Sequence, residues 1–197
     1  MPISHNNNII FVHIPKNGGT SMCNALGIES GHYRWDFYKK QNCWSSYFKF
    51  CIVRNPWDRV VSCYEYSKME DSYHHSVNLP KQHGIHPDYF TLKSLTFEEC
   101  VYMLKDSPEK LKHQGWLSQS YWICDENNNI MINNIFKIEF LQKNLLKHPI
   151  LNTFSEKLKK LNPSPRKKNY KDYYSLETKN IIAEIYKTDV ENFNYDF

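Results

Sequence analysis

The run Pro15-Lys16-Asn17-Gly18-Gly19-Thr20-Ser21 sets a lysine, two glycines and two hydroxyls side by side, the ingredients of an anion cradle. Glycines let the backbone curl around a charged group without Cβ clashes. Free N–H groups and the positive dipole end at a helix start then favour an anion held there. Lys16 adds a full positive charge, suited to neutralising a leaving group as its bond breaks. A second feature of the same kind lies in Val53-Arg54-Asn55-Pro56-Trp57-Asp58-Arg59, with Ser62 eight residues after Arg54. An arginine at a strand end gives paired hydrogen bonds to phosphate oxygens, and Ser62, on the helix that follows, can turn its hydroxyl back toward the strand ends. Two separate anion sites describe a doubly phosphorylated nucleotide. Asp58 and Arg59 are expected to form a structural ion pair or a cap, because the first turn of a helix favours a carboxylate.

Each cradle needs a strand before it and a helix after it, and the flanking residues provide both. Ile9 to Ile14 is apolar except for His13, as in a central strand buried on both faces. Pro15 ends it, and Thr20 or Ser21 opens a helix carrying Met22, Ala25 and Leu26. Tyr47 to Val53 reads as the second strand. Asn55-Pro56 is a helix start, an N-cap side chain followed by proline at the first helical position. That helix turns Val60, Val61 and Tyr64 to a core and ends near Lys68. Strand, loop and helix in this order open an α/β nucleotide fold. Glu70 to Leu95 shows little periodicity and is too long for an ordinary connection, so a functional or mobile loop is expected. Thr96-Phe-Glu-Glu99 has the capping-box pattern and opens a helix closed by Ser107-Pro108. Further on, Asn127 to Asn129 reads as a turn, and Ile130–Ile132 and Ile135–Ile138 as strands. Helical patterns follow around Phe140–Leu146, Phe154–Leu161 and Leu176–Tyr186. Asn162 to Tyr170 is a basic loop between the last two helices.

With 197 residues, 41% of them hydrophobic, the chain fills one core and is expected to form a single domain, 1–197. Its 25 Lys+Arg against 21 Asp+Glu leave a net charge of +4, which suits small anionic ligands and disfavours a nucleic-acid partner. Six cysteines without a Cys-x-x-Cys pair read as reduced packing residues. The polar Met1 to Asn8 leads straight into the first strand and leaves no room for a signal peptide or a membrane span, so a cytoplasmic location is expected. His74, His75, His83 and His86 lack carboxylate or thiolate partners at ligand spacing, and no metal is expected.

Pro15–Ser21 resembles the 5′-phosphosulfate loop of sulfotransferases that use 3′-phosphoadenosine 5′-phosphosulfate (PAPS), and Val53–Arg59 with Ser62 resembles their 3′-phosphate site. The carbohydrate and heparan-sulfate type, whose loop reads Pro-Lys-Thr-Gly-Gly-Thr-Ser, is the branch most similar; Asn17 replaces its threonine. Asp172–Thr178 and Ile185–Phe197 are similar to that family's closing helix and tail, and the likeness thins between about Met69 and Leu95. The Gly-x-x-Gly-x-x-Lys loop of the phenol and steroid branch is missing. The resemblance implies a P-loop-like three-layer sandwich, a central parallel sheet flanked by helices. It implies that Lys16, Asn17, Gly18, Gly19, Thr20, Ser21, Arg54 and Ser62 bind the nucleotide, under a basic loop of Arg166, Lys167 and Lys168 or with that loop merely solvated. His32 sits where a histidine serves as general base in some members; Glu29 and Glu65 are lesser candidates, and His13 is expected to be a core or supporting histidine. Trp116, Gln119, Tyr121 and Trp122 resemble a family segment ending in Pro-Gln, with Ser118 in place of the proline. They either stack on a sugar and read its hydroxyls or pack under the nucleotide.

The expected activity is in-line transfer of a sulfuryl group from PAPS to a hydroxyl or amine of a glycan-like or small-molecule acceptor, leaving 3′-phosphoadenosine 5′-phosphate (PAP). One alternative is a non-catalytic relative that binds nucleotide or glycan. Another is a P-loop kinase, which requires Gly-x-x-x-x-Gly-Lys-Ser/Thr, whereas here the lysine precedes the glycines.

Overall fold

The computed structural model describes residues 1–70, 85–158, 166 and 168–197. In chain order its strands and α-helices are β1 (Ile3–Ser4), β2 (Ile9–Val12), α1 (Gly19–Leu26), α2 (Trp35–Lys39), β3 (Phe48–Val53), α3 (Pro56–Ser67), α4 (Tyr89–Leu92), α5 (Phe97–Asp106), α6 (Gln119–Ile123), β4 (Asn134–Lys137), α7 (Leu141–Lys147), α8 (Asn152–Ser155), α9 (Leu176–Ile185) and α10 (Lys187–Phe193). These elements fall into two compact units. Met1–Arg54 and the described residues from Gln119 to 158 make the first; the described residues of Asn55–Ser118 and of the C-terminal part from 166 make the second.

The first unit is a mixed α/β layer structure around a four-stranded sheet in the order β1-β2-β3-β4. β2, β3 and β4 run parallel, with Phe11 opposite Phe50 and Cys51 opposite Ile135. Side chains alternate faces along a strand, and Ile9, Phe11, Phe50 and Ile52 share a core with Met22, Ala25 and Leu26 of α1, Leu141 and Leu145 of α7 and Phe154 of α8. Ile10, Val12, Cys51 and Val53 are buried too. The sheet is therefore covered on both sides along β2 and at the end of β3, as the unbroken apolar runs require. β1 departs from the sequence expectation: it pairs antiparallel with β2 through Ile3 and Ser4. Two residues are too few to carry a period, so a polar leader was all that Met1 to Asn8 displayed.

The second unit is helical. Asn55 caps α3 as expected, its Oδ1 accepting from the N–H groups of Trp57 (3.0 Å) and Asp58 (3.3 Å), with Pro56 next. Thr96 and Glu99 close the capping box of α5, and Ser175 with Thr178 closes another on α9. Val60, Val61 and Tyr64 of α3, Cys100, Val101 and Leu104 of α5 and Ile182 of α9 form one core with Trp57 and Trp116.

Several expectations shift. The strand beginning at Ile9 stops at Val12, and α1 starts at Gly19. α8 ends at Ser155, so its helical pattern does not run on through Glu156 to Leu158, while 159–161 lie outside the described residues. Of the expected strand Ile130–Ile132, only a bridge between Ile130 and Cys124 forms. Of the expected Glu70–Leu95 loop, 71–84 lie outside the described residues and the rest contains α4. Among the described residues no helix is long and apolar enough to cross a membrane. All six cysteines are free thiols and five are buried; burial pushes those of Cys23 and Cys100 up to about 12.

Candidate active site

β2 and β3 are neighbours and parallel, so the loops that leave their C-terminal ends emerge at the same edge of the sheet, the edge where open α/β sheets hold ligands. The loop after β2 is built from unusual backbone. Lys16 has a φ of +69° and Gly18 a φ of +74°, both left-handed. For a lysine that conformation costs on the order of 1 kcal/mol. Gly18 is the N-cap of α1, whose first turn carries neither an acidic residue nor a side-chain cap. That leaves the helix dipole without an internal counter-charge. Gly19 is required for space: a Cβ there would lie 1.8 Å from Cδ2 of the buried His13 ring.

Arg54 follows β3 and reaches this loop, its Nη1 donating to the Lys16 carbonyl at 3.1 Å. Lys16 and Arg54, far apart in sequence, are thereby brought together. Between them sits Gln119, the first residue of α6 and fully buried. Its Oε1 accepts from the Arg54 N–H (2.8 Å) and from Asn17 Nδ2 (2.7 Å), and its Nε2 donates to the Arg54 carbonyl (2.9 Å). Asn17 Nδ2 also donates to the Ile52 carbonyl at 2.8 Å. Neutral amides thus lock the loop to the strand end.

His32 lies on the exposed connection after α1, and its Nδ1 donates to the His13 carbonyl at 2.9 Å. A carbonyl only accepts, so Nδ1 carries the ring proton and Nε2 is the basic nitrogen of the neutral ring. The His32 ring stands 4.2 Å from that of His13 and 6.1 Å from that of Trp122. Complete burial, with His32 nearby, holds the pKa of His13 well below the ordinary histidine value, so its ring is neutral. Trp122 is only 3% exposed, yet among the described residues its indole N–H has no hydrogen-bond partner. The indoles of Trp35, Trp57 and Trp116 each donate to an oxygen at 2.8 to 2.9 Å. A buried donor left without a partner is costly and requires an explanation. Beside Trp122 the exposed Tyr121 carries the Arg34 guanidinium, 4.5 Å above its ring centre.

The remaining residues singled out from the sequence belong to the second unit. Ser62 is buried in α3. Trp116 packs in that unit's core with its indole donating to Asp88 at 2.8 Å. Gln119, also read as a hydroxyl-reading amide, bonds Asn17 and the Arg54 main chain. Asp58 stands in the first turn of α3, where its charge suits the helix dipole, while the side-chain cap is Asn55. Asp58 forms an ion pair with Arg166, while the buried Arg59 donates to the Leu117 carbonyl at 2.9 Å. Lys168 is exposed, its Nζ donating to the Asp172 carbonyl at 2.9 Å, and Lys167 lies outside the described residues. Of the lesser base candidates, Glu29 pairs with the N-terminal amine at 3.0 Å and Glu65 accepts from the Tyr173 hydroxyl at 2.7 Å. His86 is buried and its Nδ1 accepts from the Asp88 N–H at 3.1 Å; His74, His75 and His83 lie outside the described residues.

Two residues had weaker signals in the sequence. Arg34, two positions after His32, lies in a polar and aromatic stretch, 28–46, that has no motif to single it out. The Gly19–His13 contact has no sequence signature beyond a histidine in an otherwise apolar strand.

Compared with known protein families, residues 1–196 match a model described as "Sulfotransferase family". No curated protein and no solved structure matches the chain.

Proposed function

Since the chain belongs to the sulfotransferase family, we propose that it transfers the sulfuryl group of PAPS to a hydroxyl or amine of a glycan-like or small-molecule acceptor, with residues 1–197 working as one domain. The observation that carries this is the joining of Lys16 and Arg54 at the ends of two adjacent parallel strands, through the Arg54 bond to the Lys16 carbonyl and the Gln119 bracket. The donor set fits a nucleotide with two phosphorylated ends: an uncapped helix start and a lysine for one end, a guanidinium for the other. Lys16 and the backbone from Asn17 to Ser21 hold the 5′ side and Arg54 the 3′-phosphate; the assignment of Ser62 to that phosphate rests on the family resemblance alone. The assignment of Arg166, Lys167 and Lys168 to the nucleotide likewise rests on the family resemblance alone.

In the transfer the acceptor oxygen forms a bond to sulfur as the bond from sulfur to the 5′-phosphate oxygen breaks. Lys16 neutralises the charge gathering on that phosphate, and PAP leaves. His32 takes the acceptor's proton at Nε2, because Nδ1 is held protonated by the His13 carbonyl. The indole N–H of Trp122, beside His32 and without a partner among the described residues, is available to an acceptor oxygen. The Arg34 and Tyr121 pair lines the same side.

The test is transfer of labelled sulfate from PAPS to a panel of sugars and small hydroxyl compounds. Transfer that disappears in Lys16→Ala and His32→Gln, both still folded, supports the assignment. PAP binding without transfer to any acceptor makes the chain a non-catalytic relative. Magnesium-dependent ATP turnover makes it a kinase.

A further inference from the structure

His13 touches both the glycine turn and His32. It follows β2 directly and is buried, its ring stacked on Phe11 at 5.6 Å with planes 15° apart. Its Nδ1 shares a hydrogen bond with Ser30 Oγ at 3.2 Å, and Cys23 Sγ lies 4.0 Å from the same nitrogen. On another side the ring fills the space a Cβ of Gly19 would need, so the nucleotide loop rests directly on it. The His32 ring packs 4.2 Å away, and the His13 carbonyl receives the Nδ1 proton of His32.

We infer that His13 is the positioning residue of the site: its ring is the spacer that sets the distance between the Gly19 turn and His32, and its carbonyl fixes which nitrogen of His32 is basic. The inference rests on His32 being the base. A base displaced by about 1 Å loses on the order of a hundredfold in rate, so one rigid body under both the loop and the base protects the spacing on which transfer depends. The ring has to be neutral for this, since a charge there would face His32 directly. The groups around it are consistent: Cys23 is a protonated thiol, Ser30 is neutral, and Phe11 and Gly19 are apolar.

Long-range proton–nitrogen spectra of the histidine rings test this without any acceptor, with His32 assigned by its loss in His32→Gln. In the unmodified protein, above the titration of His32, its neutral ring is expected to be protonated at Nδ1. In His13→Ala the signal is expected to become a mixture of both tautomers. With PAPS and a working acceptor, kcat of that variant falls about 10- to 100-fold while KM for PAPS changes less than about threefold. His13→Phe, which restores most of the ring volume, is expected to recover most of kcat. Ser30→Ala, at an exposed position, shifts tautomer and kcat in the same direction by a smaller factor. His32 protonated at Nε2 in the unmodified protein overturns the inference, and that result needs no variant to fold. An unchanged His32 tautomer and kcat in a folded His13→Ala overturns it as well. A protein that transfers no sulfuryl group to anything defeats the functional proposal instead, and the tautomer measurement still reads the carbonyl's role.

Discussion

Gln119 in the first unit and Asp88 in the second are both fully buried and both tie separate stretches of chain together, but one is neutral and the other charged. Gln119 uses its carbonyl and its amide on Asn17 and on the main chain of Arg54. Asp88 accepts only from donors, the N–H groups of Lys112 (2.6 Å) and His113 (3.1 Å) and the indole of Trp116 (2.8 Å). Hydrogen bonds to an ionised carboxylate are strong, and a shell of donors stabilises the buried charge. A carboxylate in place of Gln119 would have no donor to offer the Arg54 carbonyl. It would also set a negative charge against the residues that carry the loop's positive potential, where a low dielectric magnifies the effect. The contrast teaches that the same structural task is solved once with neutral amides and once with a buried charge. The network beneath Lys16 and Arg54 is built from neutral amides; the network around Asp88 centres on a carboxylate that receives three donors.

The comparison breaks most visibly at its functional end. Lys16→Ala is expected to lower kcat for sulfuryl transfer by roughly 100- to 1000-fold, the loss typical of removing one preorganised group at a developing charge. Gln119→Glu is expected to weaken PAP binding about 10- to 100-fold at neutral pH, from repulsion and a lost donor. Asp88→Asn gives the opposite pattern: a melting temperature lower by about 5–10 °C from weakened charge-assisted bonds, with the PAP dissociation constant unchanged once folded. Equal effects of these two variants on PAP affinity would erase the distinction between the networks.

A subtler difference lies in acid stability. His13 has its folded pKa depressed below the unfolded value of about 6.5, so the unfolded chain binds the proton first. Stability is fully present above that value and falls as pH drops from it toward the lower folded one, by at most about 1.4 kcal/mol per pH unit for one proton. His13→Phe should flatten that limb of the curve, measured by denaturant unfolding between pH 7 and pH 5. The smallest effect belongs to the second unit's helix caps. Thr96→Ala removes the capping box of α5 and should lower the melting temperature by about 2–4 °C with no change in nucleotide affinity.

The sequence disclosed those parts of the molecule whose physics is local. Asn55-Pro56 and Thr96 with Glu99 place their helix starts because a cap depends on residues a few positions apart. Ile9 to Val12 and Phe48 to Val53 appear as strands because burial on both faces makes the run apolar. Gly18 is legible because a left-handed turn before a helix favours glycine, and Lys16 because a cation beside glycines at a helix start suits an anion. What stayed hidden depends on long-range partners. Asp58 meets Arg166, Gln119 spends its amide on Asn17 and Arg54, and His13 underlies Gly19 and His32. No spacing rule links residues that only the fold makes adjacent, and β1 is too short to show a period.

The most direct measurement is a calorimetric titration of the protein and of its Lys16→Ala and Arg54→Lys variants with PAP and with adenosine 5′-phosphate. If the lysine turn and the guanidinium hold opposite ends of one nucleotide, Lys16→Ala weakens both ligands, whereas Arg54→Lys weakens PAP about 10- to 100-fold and adenosine 5′-phosphate far less. Loss of equal size for both ligands in the Arg54 variant, or PAP binding that neither substitution disturbs, would contradict a shared site.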